Sequence, residues 1–220
     1  MKKFLSVVFA IVVLISCCSC SITEQKDTNS EESSQLPTEE QKQAQLLKDA
    51  EMIADKFINA FFNAKYNESN TLSCLDFKQQ VELSPDTNLY YDGNKVISGG
   101  KTFESTEKFL ERIEVRFGSM SLLKCEIQDK TLFDADSFDN VVEQKEFPEV
   151  NLFSDSKLSF SKFAIVDYSV VMQIEDDTPQ GMQMETHEGT VSVLLLFVDN
   201  QWKVYSPTIM GIFRGYVYFK

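Results

Sequence analysis

The chain has 220 residues, 43% of them hydrophobic, which is enough for one domain with a substantial core. Its formal charge is −13, and losing Lys2 and Lys3 with the N-terminal segment would take it to −15. So acidic a surface repels phosphate backbones and anionic headgroups, which argues against nucleic acid as a partner and leaves any membrane contact to an anchor.

Residues 1–16 predict a signal peptide. Met1-Lys2-Lys3 is a positive start, and Phe4 through Ile15 is an apolar run broken only by Ser6, too short for a membrane span of about 20 residues. Leu14-Ile15-Ser16-Cys17 at its end resembles the lipobox of bacterial lipoproteins, which implies that Cys17 becomes the lipidated first residue of the mature chain. That places the protein in the cell envelope, held to the bilayer by an acyl anchor and facing the periplasm or exterior. Residues 17–37 come next as a polar tether of Ser, Thr, Glu, Gln, Asn and Asp, with a reach of roughly 25 Å. Residues 38–220 form the single folded domain.

Thr38-Glu39-Glu40-Gln41 has the form of a capping box, and Leu46, Ala50, Ile53, Phe57, Phe61 and Ala64 recur at helical spacing behind it. A second, shorter helix is expected around residues 69–81. Asp92-Gly93 between two short apolar runs predicts a hairpin with a type I′ turn. Ser105 then caps a third helix carrying Phe109, Ile113 and Phe117, with Gly118 placed to end it at the C′ position.

Beyond Gly118 the period changes to two. Leu123, Cys125 and Ile127 alternate with polar residues as a half-buried strand, and residues 130–157 are expected to be a long loop or an extra short hairpin. Ala164, Val166, Tyr168, Val170, Met172 and Ile174 line one face of a long strand. Pro179-Gln180-Gly181 turns the chain into a partner over residues 184–198, and Asp199-Asn200 turns it again into a strand beginning at Trp202. The fold class is α+β, with N-terminal helices packed on a curved antiparallel sheet. Leu194, Leu196 and Val198 are apolar on the face opposite Val193, Leu195 and Phe197, so both faces need cover there. A C-terminal segment, residues 209–219, or a second subunit in a homodimer is expected to supply it.

This order of elements resembles the nuclear-transport-factor-two-like superfamily, the cone shared with ketosteroid isomerase and scytalone dehydratase. The resemblance rests on residues 54–66, on Ile97-Ser98-Gly99-Gly100 before the third helix, on Phe117-Gly118 after it, and on Val198-Asp199-Asn200-Gln201-Trp202 as the last hairpin. It spans roughly residues 40–208. It implies a cavity, and in the enzymes of the fold an Asp or His base with a Tyr donor inside it.

The residues themselves offer little catalytic chemistry. His187 is the single histidine, so a multi-histidine zinc site is excluded, and a solvent-exposed rim histidine is the reading preferred over a base. Asp167 is the other candidate base, but it should face away from its neighbour Tyr168 on a strand. Cys74 and Cys125 are the domain's cysteines; a disulfide between them and separate burial as thiols both remain open. Gly99-Gly100-Lys101-Thr102 imitates a phosphate-binding loop but lacks its first glycine, at Lys95. Asp134, Asp136 and Asp139 imitate a calcium loop but lack its later ligands, and Trp202 reads as a core or rim residue. No motif calls for a metal or a cofactor. The leading expectation is a noncatalytic envelope lipoprotein whose domain binds an apolar small molecule or an envelope protein. The rival is a small isomerase or dehydratase using Asp167 or His187 as base.

Overall fold

The computed structural model describes residues 37–83, 88–145, 147, 158–178 and 181–205. The expected signal peptide, Cys17, the expected tether up to residue 36, the turn expected at Pro179-Gln180 and residues 209–219 lie outside the described residues. Among the described residues no helix is long and apolar enough to cross a membrane.

Helix α1, Glu39–Phe61, starts at the expected capping box: Gln41 N–H donates to Thr38 Oγ1 at 3.2 Å and Thr38 N–H to Gln41 Oε1 at 2.9 Å. It stops at a Schellman motif, in which Lys65 N–H reaches Ala60 O at 2.9 Å and Ala64 takes the left-handed conformation at φ 53°. The expected second helix is two. Helices α2, Tyr66–Leu72, and α3, Phe77–Leu83, are separated because Asp76 and Gln79 form a capping box of their own, with bonds of 2.8 and 2.9 Å. Between them Cys74 N–H donates to Val204 O at 2.9 Å, which ties this corner to the last strand.

Strands β1, Leu89–Asp92, β2, Lys95–Ser98, and β3, Lys101–Phe103, form a small antiparallel sheet. At the first turn Gly93 alone has positive φ, the sign pattern of type II′ rather than the expected I′. Gly99 and Gly100, both with positive φ, make the I′ turn between β2 and β3, so the apparent phosphate-loop remnant is a hairpin corner. Helix α4, Thr106–Arg116, is capped by Ser105 as expected. Gly118, however, lacks the expected left-handed conformation. An added Cβ there would stand 3.3 Å from Glu114 O, and the chain leaves the helix through a Met120 N–H to Phe117 O turn instead.

The main sheet is an antiparallel meander of β4, Ser121–Asp134, β5, Lys162–Thr178, β6, Gly181–Val198, and β7, Gln201–Val204. The left-handed pair Asp199 and Asn200 closes its last hairpin. On β4 the register slips between Leu122 and Lys124, so Leu123 bulges out and is 53% exposed, against the inward position that simple alternation predicts. The acidic stretch is also more regular than expected. Residues 130–134 complete β4, and a 3-10 turn, Ala135–Ser137, leads into helix α5, Phe138–Gln144.

Two apolar clusters lie on the two faces of the meander. One joins α1, α2, α4 and the small sheet to Val166, Tyr168, Val170 and Met172 of β5. The other joins Phe163, Ile165, Leu194 and Leu196 to Val142, Leu75 and Tyr205, with Phe133 stacked on Phe163 at 4.8 Å. Both faces are covered, as the doubly apolar β6 requires. Among the described residues that cover comes from α5 and the Leu158–Phe160 region.

Candidate functional site

Helix α1 crosses the first face of the meander with Glu51 and Asp55, one turn apart, along the edge of its apolar stripe. Beneath Asp55 lies Tyr168, 1% exposed, at the centre of β5 and paired with Ile127 on β4 and Val191 on β6. Tyr168 Oη donates to Asp55 Oδ1 at 2.7 Å. Burial holds the phenol far above its ordinary value of 10, and the hydrogen bond and negative charge of Asp55 push the same way. The proton therefore stays on oxygen and points at the carboxylate. At the rim Lys130, on the same face of β4, pairs with Glu51.

Cys125 stands beside this pair on β4. Burial, followed by the charge of Asp55, pushes its thiol up to about 11. Cys74 packs in the other cluster and is pushed up to about 12 by burial, against the opposing pull of backbone hydrogen bonds and Lys203. Both cysteines are free thiols in the structure and pack in different clusters. Both are thiols rather than nucleophilic thiolates near neutrality.

The sequence candidates are dispersed. Asp167 faces away from Tyr168, as expected for neighbours on a strand, and sits in a surface network with Nζ of Lys145, the residue that follows α5, at 3.0 Å and Ser192 Oγ of β6. His187 is half-buried rather than freely exposed and lies opposite Met172 on the α1 face. Its register places it four residues from Val191, the partner of Tyr168, hence about 13 Å along the strand. Asp134 is engaged by Lys162 at 2.6 Å. Among the described residues no three His, Cys, Asp or Glu side chains converge as metal ligands. Trp202 is buried in the first cluster, its ring 5.1 Å from that of Phe197.

Asp55 is the member that sequence reasoning missed. The available signal was a carboxylate next to Ala54 and three residues before Ile58, at the margin of the most apolar part of α1, where a charge needs a partner. Arranged in this way, the pair can lock α1 onto β5, or offer a carboxylate with a phenol donor under the helix. The chain matches no protein-family model, and comparisons with curated proteins and with solved structures likewise return no match.

Proposed function

We propose that the chain is a cell-envelope lipoprotein. In this reading residues 1–16 are a cleaved signal peptide, Cys17 carries the acyl anchor and residues 17–37 are the tether. Residues 38–220 are a cone-shaped, nuclear-transport-factor-two-like domain that holds an apolar small molecule or an envelope protein without turning it over. Support for the fold type comes from the order of α1 to α3, a small hairpin sheet, α4 and a long antiparallel meander. The observation that carries the noncatalytic reading is the dispersal of the titratable groups. Asp167 and Tyr168 occupy opposite faces, His187 is remote from both, and the hydroxyl of Tyr168 is committed to Asp55.

The isomerase or dehydratase alternative draws on one contact, Tyr168 to Asp55, which transfers the role of base from Asp167 or His187 to Asp55. Native mass spectrometry of the delipidated protein purified from its own host separates the readings. A retained apolar mass or a protein partner, unchanged on incubation, is the expected result. Turnover of a retained compound that Asp55→Asn abolishes in a folded protein would overturn the noncatalytic proposal.

A further inference from the structure

Strands β5 and β6 run on past β4 as a ribbon. Pairing of β4 with β5 begins at Ser121 and Gln173, whereas the ladder of β5 and β6 continues from Ile174 and Glu185 to Thr178 and Gly181. Alternation sorts the side chains between two faces. His187 shares the α1 face with its partner Met172, while Met182, Met184 and Glu175, the partner of Met184, take the face of Asp167. Further along β6 that face carries Thr186, Glu188, Thr190 and Ser192, all exposed, as suits a strand surface turned to water. At its outer end Met182 is 58% exposed and Met184 49%, so burial of apolar area does not account for two thioethers side by side.

We propose that Met182, Met184 and Glu175 form a binding site for a copper(I) ion, held by two thioether sulfurs and one carboxylate oxygen. A methionine sulfur is a soft ligand that selects copper(I), and it binds without losing a proton. Residues i and i+2 of a strand lie about 6.6 Å apart along it with parallel side chains, and each methionine has three rotatable bonds with which to bring its sulfur onto a shared ion. Glu175 is exposed and directly opposite Met184, with the Cβ atoms of such a pair about 4.5–5.5 Å apart. Its carboxylate therefore reaches the same point and neutralises a monovalent cation.

The ligand set discriminates among metals. Calcium and magnesium take six or more oxygen ligands, and structural zinc takes four from thiolate, imidazole and carboxylate. Among the described residues no three His, Cys, Asp or Glu side chains converge, which leaves the thioethers as the distinctive donors. Electrostatics favour a cation as well: Glu188 lies on the same face, and the chain carries a net charge of −13.

Silver(I) nitrate, a soft monovalent stand-in for copper(I) that needs no reductant, tests the site when titrated into the full chain in chloride-free buffer. Carbon-13 labels on the methionine methyl groups give one signal per residue, which separates this site from thiols that bind the same ion elsewhere. The signals of Met182 and Met184 are expected to shift together, with one midpoint. Met52, 50% exposed and the one methionine of α1, should need at least about tenfold more silver. Met182→Leu should raise the midpoint at Met184 about tenfold, and Glu175→Gln should raise it about two- to fivefold, with Trp202 fluorescence native in both. His187→Gln should leave the midpoint unchanged, as should a step from pH 7 to 6, because a thioether carries no proton. Separate midpoints for the two methionines, or Met52 shifting in step with them, would overturn the proposal. So would a Met184 response indifferent to Met182→Leu, or one lost with His187→Gln, which would assign the ion to a methionine and histidine pair. If Met182→Leu does not fold, the comparison of the pair with Met52 in the wild type decides.

Discussion

Replacing Tyr168 by Phe removes one atom from the contact between α1 and β5. The ring stays in the first cluster, so no cavity opens, and the loss is confined to the hydrogen bond at 2.7 Å and its consequences. A hydrogen bond to a charged group contributes about 1.5–3 kcal/mol, and Asp55 is only half-buried and can turn to water, so the expected loss is about 1.5–2 kcal/mol. Asp55→Ala is expected to cost about 1–3 kcal/mol for the opposite reason: it strands the sealed hydroxyl of Tyr168 with no acceptor. The double variant should cost less than the sum of the two, by about 1–2 kcal/mol. Urea unfolding monitored by the single tryptophan, Trp202, measures all three, with equal m values as the check that the unfolded state is unchanged. The pH dependence carries a sign. Tyr168 titrates higher folded than unfolded, so its contribution is complete below about pH 10 and falls above it by about 1.4 kcal/mol per pH unit, as the unfolded phenol ionises first. The difference between wild type and Tyr168→Phe should therefore be flat from pH 7 to 9 and shrink beyond 10. A Tyr168→Phe variant within about 0.5 kcal/mol of wild type, with no coupling to Asp55, would refute the assignment.

Metabolic labelling with a radioactive fatty acid should mark the wild type and leave Cys17→Ala unlabelled; equal labelling of both would exclude Cys17 as the anchor. Intact mass measured after alkylation, with and without prior reduction, should be identical for the domain cysteines, and Cys74 and Cys125 should react with a thiol reagent at pH 8 far more slowly folded than unfolded. A mass difference on reduction that maps to these two residues would show them bridged. Gly99→Ala and Gly100→Ala should each destabilise by about 1–2 kcal/mol, because both positions have positive φ while an added Cβ would meet nothing within 4 Å, so the penalty is one of backbone conformation alone. Melting temperatures equal to wild type would show that the turn relaxes without penalty.

The features legible in the sequence are those encoded between near neighbours. The box of Thr38 and Gln41 is a contact three residues long, the inward set from Ala164 to Ile174 is a period of two, and the Asp199-Asn200 turn is a two-residue demand for positive φ. Each can be satisfied before the chain has any tertiary structure, so each is written locally. Even at that range two signals misled: Gly118 looks like a helix terminator, and the acidic run hides α5, whose apolar residues Phe138, Val141 and Val142 are too few to declare a period. Register and pairing were decided elsewhere. The bulge at Leu123 is set by how β4 must fit β5, and alternation by itself assigns that side chain to the wrong face. Cys74 and Cys125 are distributed between two clusters by the docking of the corner near Val204, which no spacing reveals. Asp55 and Tyr168 stand 113 positions apart and meet only because α1 crosses the sheet above the centre of β5. An amphipathic stripe specifies that a helix must bury one face, but not which strand it will cover or at what height, since burial energy depends on area and not on the identity of the partner. The placement of that carboxylate over that phenol is a property of the packed layers alone.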